Sequence, residues 1–253
     1  MNFIKVLRKE MMEQWRTYRF LIILAVLVVF GMTSPLLTKF MPQMFKAIPG
    51  MTPEILNAMP APSVQEAVGQ YVKSMNQFGI LLAILTTMGI VVQEKERGTA
   101  AFFLTRPVSR ETFLLAKFSA QTVTFFAGVL IAALGSWYYT DVLFEPLAWG
   151  PFLALNGLML LAFMLYIALA LLGSAIARSQ GTAIGISISA GIVVAVLGAL
   201  PSIGNYFPAR LFTWGTMLVL GAPDSAWPAL VVTIGIMIAA LLAACLIFRR
   251  QEI

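Results

Sequence analysis

The sequence predicts an all-α integral membrane protein with six transmembrane helices and both termini in the cytoplasm. Three observations carry that expectation. The chain has 253 residues, of which 60% are hydrophobic and only 11% charged. Soluble domains carry about twice that share of charge, so lipid must be the solvent for most of this surface. Six apolar runs, at 20–38, 78–92, 118–140, 151–177, 181–200 and 229–248, mostly reach the roughly 20 residues a helix needs to cross the hydrocarbon. Finally, with the N-terminus inside, thirteen basic residues fall on inner segments: Lys5, Arg8, Lys9, Arg16, Arg19, Lys95, Arg97, Arg106, Arg110, Lys117, Arg178, Arg249 and Arg250. Only Lys39, Lys46, Lys73 and Arg210 fall outside. A bias of that size orients a membrane protein. It also accounts for the pI near 9.7, better than a nucleic-acid footprint would.

Residues 2–19 read as an amphipathic helix. Ile4, Leu7, Met11, Trp15 and Tyr18 step by three or four along one face, and Lys5, Arg8, Lys9, Glu13, Arg16 and Arg19 fill the others. Such a helix lies in the inner membrane interface, or docks on the protein's own spans. Asn2 is its expected cap. The first apolar run lacks a small-residue cleavage site and is read as a retained span.

The outer segment that follows, 39–76, contains Pro42, Pro49, Pro53, Pro60 and Pro62 and is expected to be irregular up to Ser63. Ser63 and Glu66 have the spacing of a capping box. Val64, Val68, Tyr71 and Met75 then recur at helical spacing, so one long helix is expected from Val64 through the second run.

Between the second and third runs stands "EKERGTAAFFLTRPVSRETFLLAKF", residues 94–118, with eight charged residues beside a Phe-Phe-Leu run. Gly98 and Thr99 break the helix leaving the membrane, and Thr99 caps a short turn that Pro107 stops. Ser109 caps the next helix, with Glu111 in its first turn where the dipole favours it. Phe102, Phe103 and Leu104 then form an apolar knob flanked by charge, suited to a partner's groove or to the membrane surface. Glu94 and Glu96 read as solvated charges beside Lys95 and Arg97.

The spans are notable for what they lack. None of the six runs holds Asp, Glu, Lys, Arg or His, the chain has no His at all, and Cys245 is its one cysteine. That argues against proton relays, charge-lined channels, haem, zinc or iron–sulfur sites, and intramembrane proteolysis. The neutral polar residues Gln121, Thr122, Thr124, Asn156, Ser174, Ser187 and Ser189 suit interhelical hydrogen bonds, or a path for an uncharged or amphipathic substrate. In the fifth run, Gly181, Gly185 and Ser189 form one small-residue row, and Ser187, Gly191, Ala195 and Ala199 a second. These rows suit close helix packing within one subunit or between two. The last outer segment, 201–228, holds "FPARLFTWGTMLVLG", too short to cross a membrane; it reads as an interfacial anchor around Trp214 and Trp227.

The segment at 94–117 resembles the coupling region of bacterial ABC type-2 permeases, the membrane subunits of ABC exporters. The resemblance rests on Glu94, Glu96, Gly98, Thr99, Leu104, Pro107, Ser109, Arg110 and Lys117, and on the N-terminal "RKEMMEQWRTYRFL" with Lys9 and Glu10. It extends over the whole chain in layout, as a single transmembrane domain of residues 1–253. By this resemblance the segment 201–228 is a re-entrant turn, the alternative to an interfacial anchor. The chain departs from many relatives in having Ala100, Ala101, Phe102 and Phe103 where they carry polar residues. Which side chains meet the ATPase therefore stays open among Glu94, Glu96, Arg97, Gly98, Thr99, Phe102, Phe103, Leu104, Pro107, Ser109 and Arg110.

What the resemblance implies is a permease pairing with itself or a paralogue and with two copies of an ATP-binding subunit. ATP and Mg would be bound by that partner, since this sequence holds no phosphate loop. The substrate class expected from uncharged spans is lipophilic or amphipathic: a drug, peptide antibiotic or lipid. The alternative is a non-transporting scaffold, immunity or sensor protein that docks a cytosolic partner on the same knob.

Overall fold

A computed structural model describes residues 3–46, 62–98 and 109–251. These residues form helices and turns only. In chain order the helices are α1 (Phe3–Arg16), α2 (Arg19–Lys46), α3 (Val64–Ser74), a π-turn (Met75–Gly79), α4 (Ile80–Thr87), α5 (Val92–Glu96), α6 (Arg110–Leu143), α7 (Trp149–Ile176), α8 (Gln180–Ala199), a 3₁₀ turn (Gly204–Tyr206), α9 (Ala209–Val219) and α10 (Trp227–Arg250). Six segments among the described residues are long and apolar enough to cross a membrane: α2, the run α3–α5, α6, α7, α8 and α10. They are numbered here as spans one to six.

Span four, α7, is the axis of the bundle. Phe152, Leu155, Met159, Phe163 and Leu171 along it are fully buried. Small residues let the other helices approach. A Cβ on Gly79 would run into the Phe163 ring, one on Gly31 into Ala132, and one on Gly215 into Leu155. Without a hydrophobic force between helices in lipid, this close backbone approach is what holds such bundles together. The buried neutral polar groups act as interhelical pins. The Tyr71 hydroxyl donates to Asn156 Oδ1, and Ser187 Oγ donates to the Ala170 carbonyl.

Two helix starts follow the local sequence closely. Ser63 Oγ accepts the Glu66 N–H at 3.2 Å, and Ser109 Oγ accepts the Thr112 N–H at 3.1 Å. Other boundaries differ from the sequence reading. Span one does not end near residue 38: its helix runs on to Lys46 with Pro35 and Pro42 inside it. A proline costs a helix one N–H bond and a steric clash; Pro35 is buried among Gly31, Ser34 and Thr38, where packing offsets that cost. The expected continuous helix from Val64 is also corrected. It widens into a π-turn at Met75–Gly79 and breaks at residues 88–91. The helix read over residues 2–19 ends at Arg16, and Tyr18 sits in the left-handed region, φ 58°, at the corner into α2.

Residues 201–228 do not form a simple loop. Gly198, near the end of α8, lies against Phe207 and Ala209 at the start of α9. From there α9 runs antiparallel along α7. Its Phe212 ring is 6.2 Å from Phe163 at mid-helix, and Gly215 sits against Leu155 nearer the α7 start. Trp214 is buried in this contact while Trp227 is exposed. Val219 and Leu220 then line a cavity of about 700 Å³ with Lys39, Ser63 and residues 143–148.

Candidate functional site at the charged end of the bundle

One end of the bundle gathers α1, Arg19, α5, the start of α6, the α7–α8 junction and the end of α10. The geometry is built outward from Lys117. This lysine sits two turns into α6, 2% exposed. Its Nζ donates to Glu94 Oε1 at 2.7 Å and to Glu10 Oε2 at 2.9 Å, and lies 4.8 Å from the Phe113 ring centroid. Lys9 closes the cluster, with Nζ 3.1 Å from Glu94, 2.9 Å from Glu10 and 2.9 Å from Glu13. Glu10, Glu13 and Glu94 bring carboxylate oxygens within 4.8 Å of one another. Lys9 bonds all three, so an ammonium occupies the place a metal ion would take.

Burial alone would lower the Lys9 pKa. The charges of Glu10 and Glu94, with hydrogen bonds to Glu13 and Glu10, outweigh it and hold the ammonium well above the usual lysine range. Burial would raise Glu13. The Lys9 hydrogen bond, with the charges of Lys117, Lys9 and Arg19, holds its carboxyl below the usual range.

The polar row continues along α6. Gln14 Nε2 donates to Gln121 Oε1 at 3.1 Å, Thr124 donates to Gln14 Oε1, and Gln121 donates to Thr86. So α1 docks by its polar edge, with Val6, Glu10 and Gln14 buried. Its apolar stripe faces outward: Ile4, Trp15 and Tyr18 are exposed, and Leu7 and Met11 half-buried. The reading of this helix as docked on the protein's own spans therefore holds, and its apolar stripe is left on the opposite face.

The break at residues 88–91 has a specific partner. Ser174 Oγ on α7 accepts both the Val91 N–H at 3.0 Å and the Val92 N–H at 3.1 Å, two groups the broken helix leaves without an internal acceptor. The short helix α5 beyond it sends successive side chains in different directions. Gln93 Oε1 accepts from Arg19 Nη2 at 2.9 Å. Glu94 meets Lys117 and Lys9. Lys95 Nζ donates to the Ala175 and Ala177 carbonyls, both at 2.8 Å, and to Gln251 Oε1 at 3.0 Å. Glu96 Oε1 accepts the Gln180 N–H at 2.9 Å, at the start of α8. A cation at the carbonyl end of α7 and an anion at the amide end of α8 both match the helix dipoles. On the far root, Arg110 Nη1 donates to the Phe248, Arg249 and Gln251 carbonyls at the end of α10. Phe113 stacks on Phe248, centroids 5.7 Å apart.

The sequence-predicted residues divide accordingly. Glu94 is not a solvated charge: it is 8% exposed and bonded to two ammoniums. Glu96, Arg97, Gly98 and Ser109 are exposed, and Gly98 takes φ 68° where the helix breaks. Arg110 is half-buried. Thr99, Phe102, Phe103, Leu104 and Pro107 lie outside the described residues. Of the small-residue row, Gly181 and Gly185 face open space and Ser189 is exposed, while Gly191 packs on Ile84 within the chain. Sequence reasoning missed Gln93 and Lys95 as contact residues, and Ser174 as the plug of a helix break. The Gly89 in "TTMGIV" was the local signal for that break.

Six apolar spans with a charged, hydrogen-bonded end define a multi-pass membrane protein. Residues 4–253 match the family described as ABC-2 family transporter protein, and the chain belongs to that family. It is a membrane subunit of a transporter, placed in the bacterial membrane. Among its relatives in Bacillus subtilis (strain 168), "Uncharacterized transmembrane protein YxlG" is 28% identical over 255 residues, covering 98% of this chain and 97% of its own length. "Putative transport permease YvfS" is 27% identical over 195 residues, covering 72% of this chain and 78% of its own.

Proposed function

We propose that the chain is the non-catalytic permease subunit of an ABC exporter. Its charged end faces the cytoplasm, and a separate ATP-binding subunit, present in two copies, seats on the segment between spans two and three. ATP and Mg belong to that partner. The permease pairs with a second copy or a paralogue, and α9 with residues 201–228 forms a re-entrant element near the exit. A lipophilic or amphipathic substrate suits apolar runs that hold no Asp, Glu, Lys, Arg or His.

The observation that carries this reading is the family match over residues 4–253. It joins a sequence without a phosphate loop to a group of transporters, which supports an energy source on a separate ATP-binding subunit. The test is co-expression with a candidate ATPase and purification through the permease. The wild-type chain brings down an ATP hydrolase, and Phe103→Asp or Leu104→Asp loses it or loses substrate-stimulated hydrolysis while the spans stay folded. Retention of both by these variants, or a wild-type chain that never co-purifies with an ATPase, overturns the reading. Labelling of a cysteine at position 103 from the cell exterior would overturn the orientation.

A further inference from the structure

We propose that residues 92–97 form a hinged transmission block, freed from the rest of span two by the break that Ser174 plugs and wired to every other span. Lys95 is the positioning residue that makes spans four and six follow it. The proposal rests on the reading of the chain as an ATPase-driven permease.

The argument is geometric. A continuous helix transmits motion only along its own axis. Span two is not continuous: its backbone ladder is interrupted at residues 88–91, where the Val91 and Val92 N–H groups turn to a side chain on α7. The turn beyond can pivot with little bending of α4, because the backbone bonds near it run from α4 into the turn (Ile90 N–H to Thr87) and from α5 into the turn (Gln93 N–H to Gly89), and neither joins α4 to α5 directly. Such a turn would be a loose end unless held, and four consecutive side chains hold it. Gln93 reaches span one through Arg19, and Glu94 reaches α1 and span three through Lys9 and Lys117. Lys95 reaches the end of span four and, through Gln251, the end of span six, while Glu96 reaches the start of span five. Backbone carbonyls and charged side chains at 2.7–3.1 Å make these stiff, directional links. A push arriving at Gly98 therefore reaches the ends of all six spans within one helical turn. Coupling of this kind needs an element that several sites bias together.

Lys95 discriminates this from simple packing. Among the described residues its ammonium is the one link from α5 to both α7 and α10, and the partners it bonds there are carbonyls and an amide. Lys95→Met keeps the apolar stem and removes the donors; Lys95→Arg keeps the charge and donors.

The experiment is hydrogen exchange, read by mass spectrometry, on the full chain purified with its ATPase in nanodiscs, comparing ADP with ATP plus vanadate. Wild type shows a nucleotide-dependent change at residues 91–92, at 175–177, at 178–183, at the end of α10 and in α1. In Lys95→Met the ATPase co-purifies as before and the change at 178–183, carried by Glu96, stays, but the nucleotide-dependent change at 175–177 and at the end of α10 is lost, and Lys95→Arg restores it. Retention of that change in Lys95→Met overturns the block, as does its absence from wild type.

Failure of any ATPase to co-purify with wild type overturns the function reading instead. The block is then judged on the chain alone. Ser174→Ala removes the acceptor for Val91 and Val92, and protection must fall at 178–183 and in α1 as well as at 91–92. Loss confined to 91–92 overturns it.

Discussion

Lys117 Nζ lies 2.7 Å from Glu94 Oε1, and both side chains are buried at the mouth of the bundle, one on each side of the segment that joins spans two and three. Burying two charges is costly, and their attraction repays the cost only when the remaining lone pairs and protons are also satisfied. Glu10 and Lys9 supply those further partners. Removing the lysine head alone leaves Glu10 and Glu94 facing each other with half their cation. Lys117→Met is therefore expected to destabilise the chain by about 3–5 kcal/mol, seen as a fall in Tm in detergent. A Tm equal to wild type would mean the pair is solvated in the working protein.

The docking of α1 should depend on pH in a defined direction. Glu13 is held below its ordinary value, so its contribution is complete above the usual carboxylate range and is lost as pH falls through the lowered value. Lys9 is held above its ordinary value, so its contribution is complete below the usual lysine range and is lost only as pH rises through the raised value. Hence α1 stays docked from weak acid to well above neutrality and releases first at the acid end. A spin label at Met12→Cys, with Cys245 replaced by Ala, checks this: its mobility should rise below the usual carboxylate range and stay flat through pH 7–9. A transition near neutrality would contradict the assignment.

The close approach at Gly79 gives a packing test. A Cβ there meets the Phe163 ring, which is itself fully buried on the central span. Overpacking of this kind costs roughly 1–3 kcal/mol, so Gly79→Ala should lower Tm clearly. Gly185→Ala adds a methyl to open space and should change single-chain stability by no more than about 0.5 kcal/mol. A loss of assembly in Gly185→Ala, without a loss of helix content, would identify that row as a contact between subunits.

The Tyr71–Asn156 pair tests the polar pins. Tyr71→Phe leaves Asn156 Oδ1 without the hydroxyl donor, in a site where Tyr71 is fully buried. A single interhelical hydrogen bond in a membrane protein is worth about 0.6–1.7 kcal/mol, and the variant should lose that much. A double-mutant cycle with Asn156→Leu isolates it: the coupling should be positive, and additive effects would show that the bond contributes nothing.

Much of the architecture was legible because membrane spans announce themselves by length and apolarity. Ser63 and Ser109 announced two helix starts by local chemistry that needs no tertiary information. The break at residues 88–91 was not legible, since what makes it tolerable is Ser174, more than eighty residues further along. Glu94 misread for the same reason: next to Lys95 and Arg97 it looks like one of several surface charges, and only the fold brings Lys9 and Lys117 to it. The polar edge of α1 was hidden by its apolar stripe. A helix with Trp15 and Tyr18 on one side points to lipid, while the buried Glu10 and Gln14 on another side become visible only once α6 is placed beside them. Proline at 42 argued for irregular chain on propensity, yet the helix runs through it.

Gln251 is gripped from two directions, its side-chain oxygen by Lys95 and its carbonyl by Arg110. The tail of the last span is thus fastened to both anchor points of the segment that joins spans two and three. On the transmission block and the paired permease proposed above, a fluorescent reporter fused just beyond it would move with that block, and energy transfer between two such reporters would follow the cycle in intact cells without any label inside the membrane.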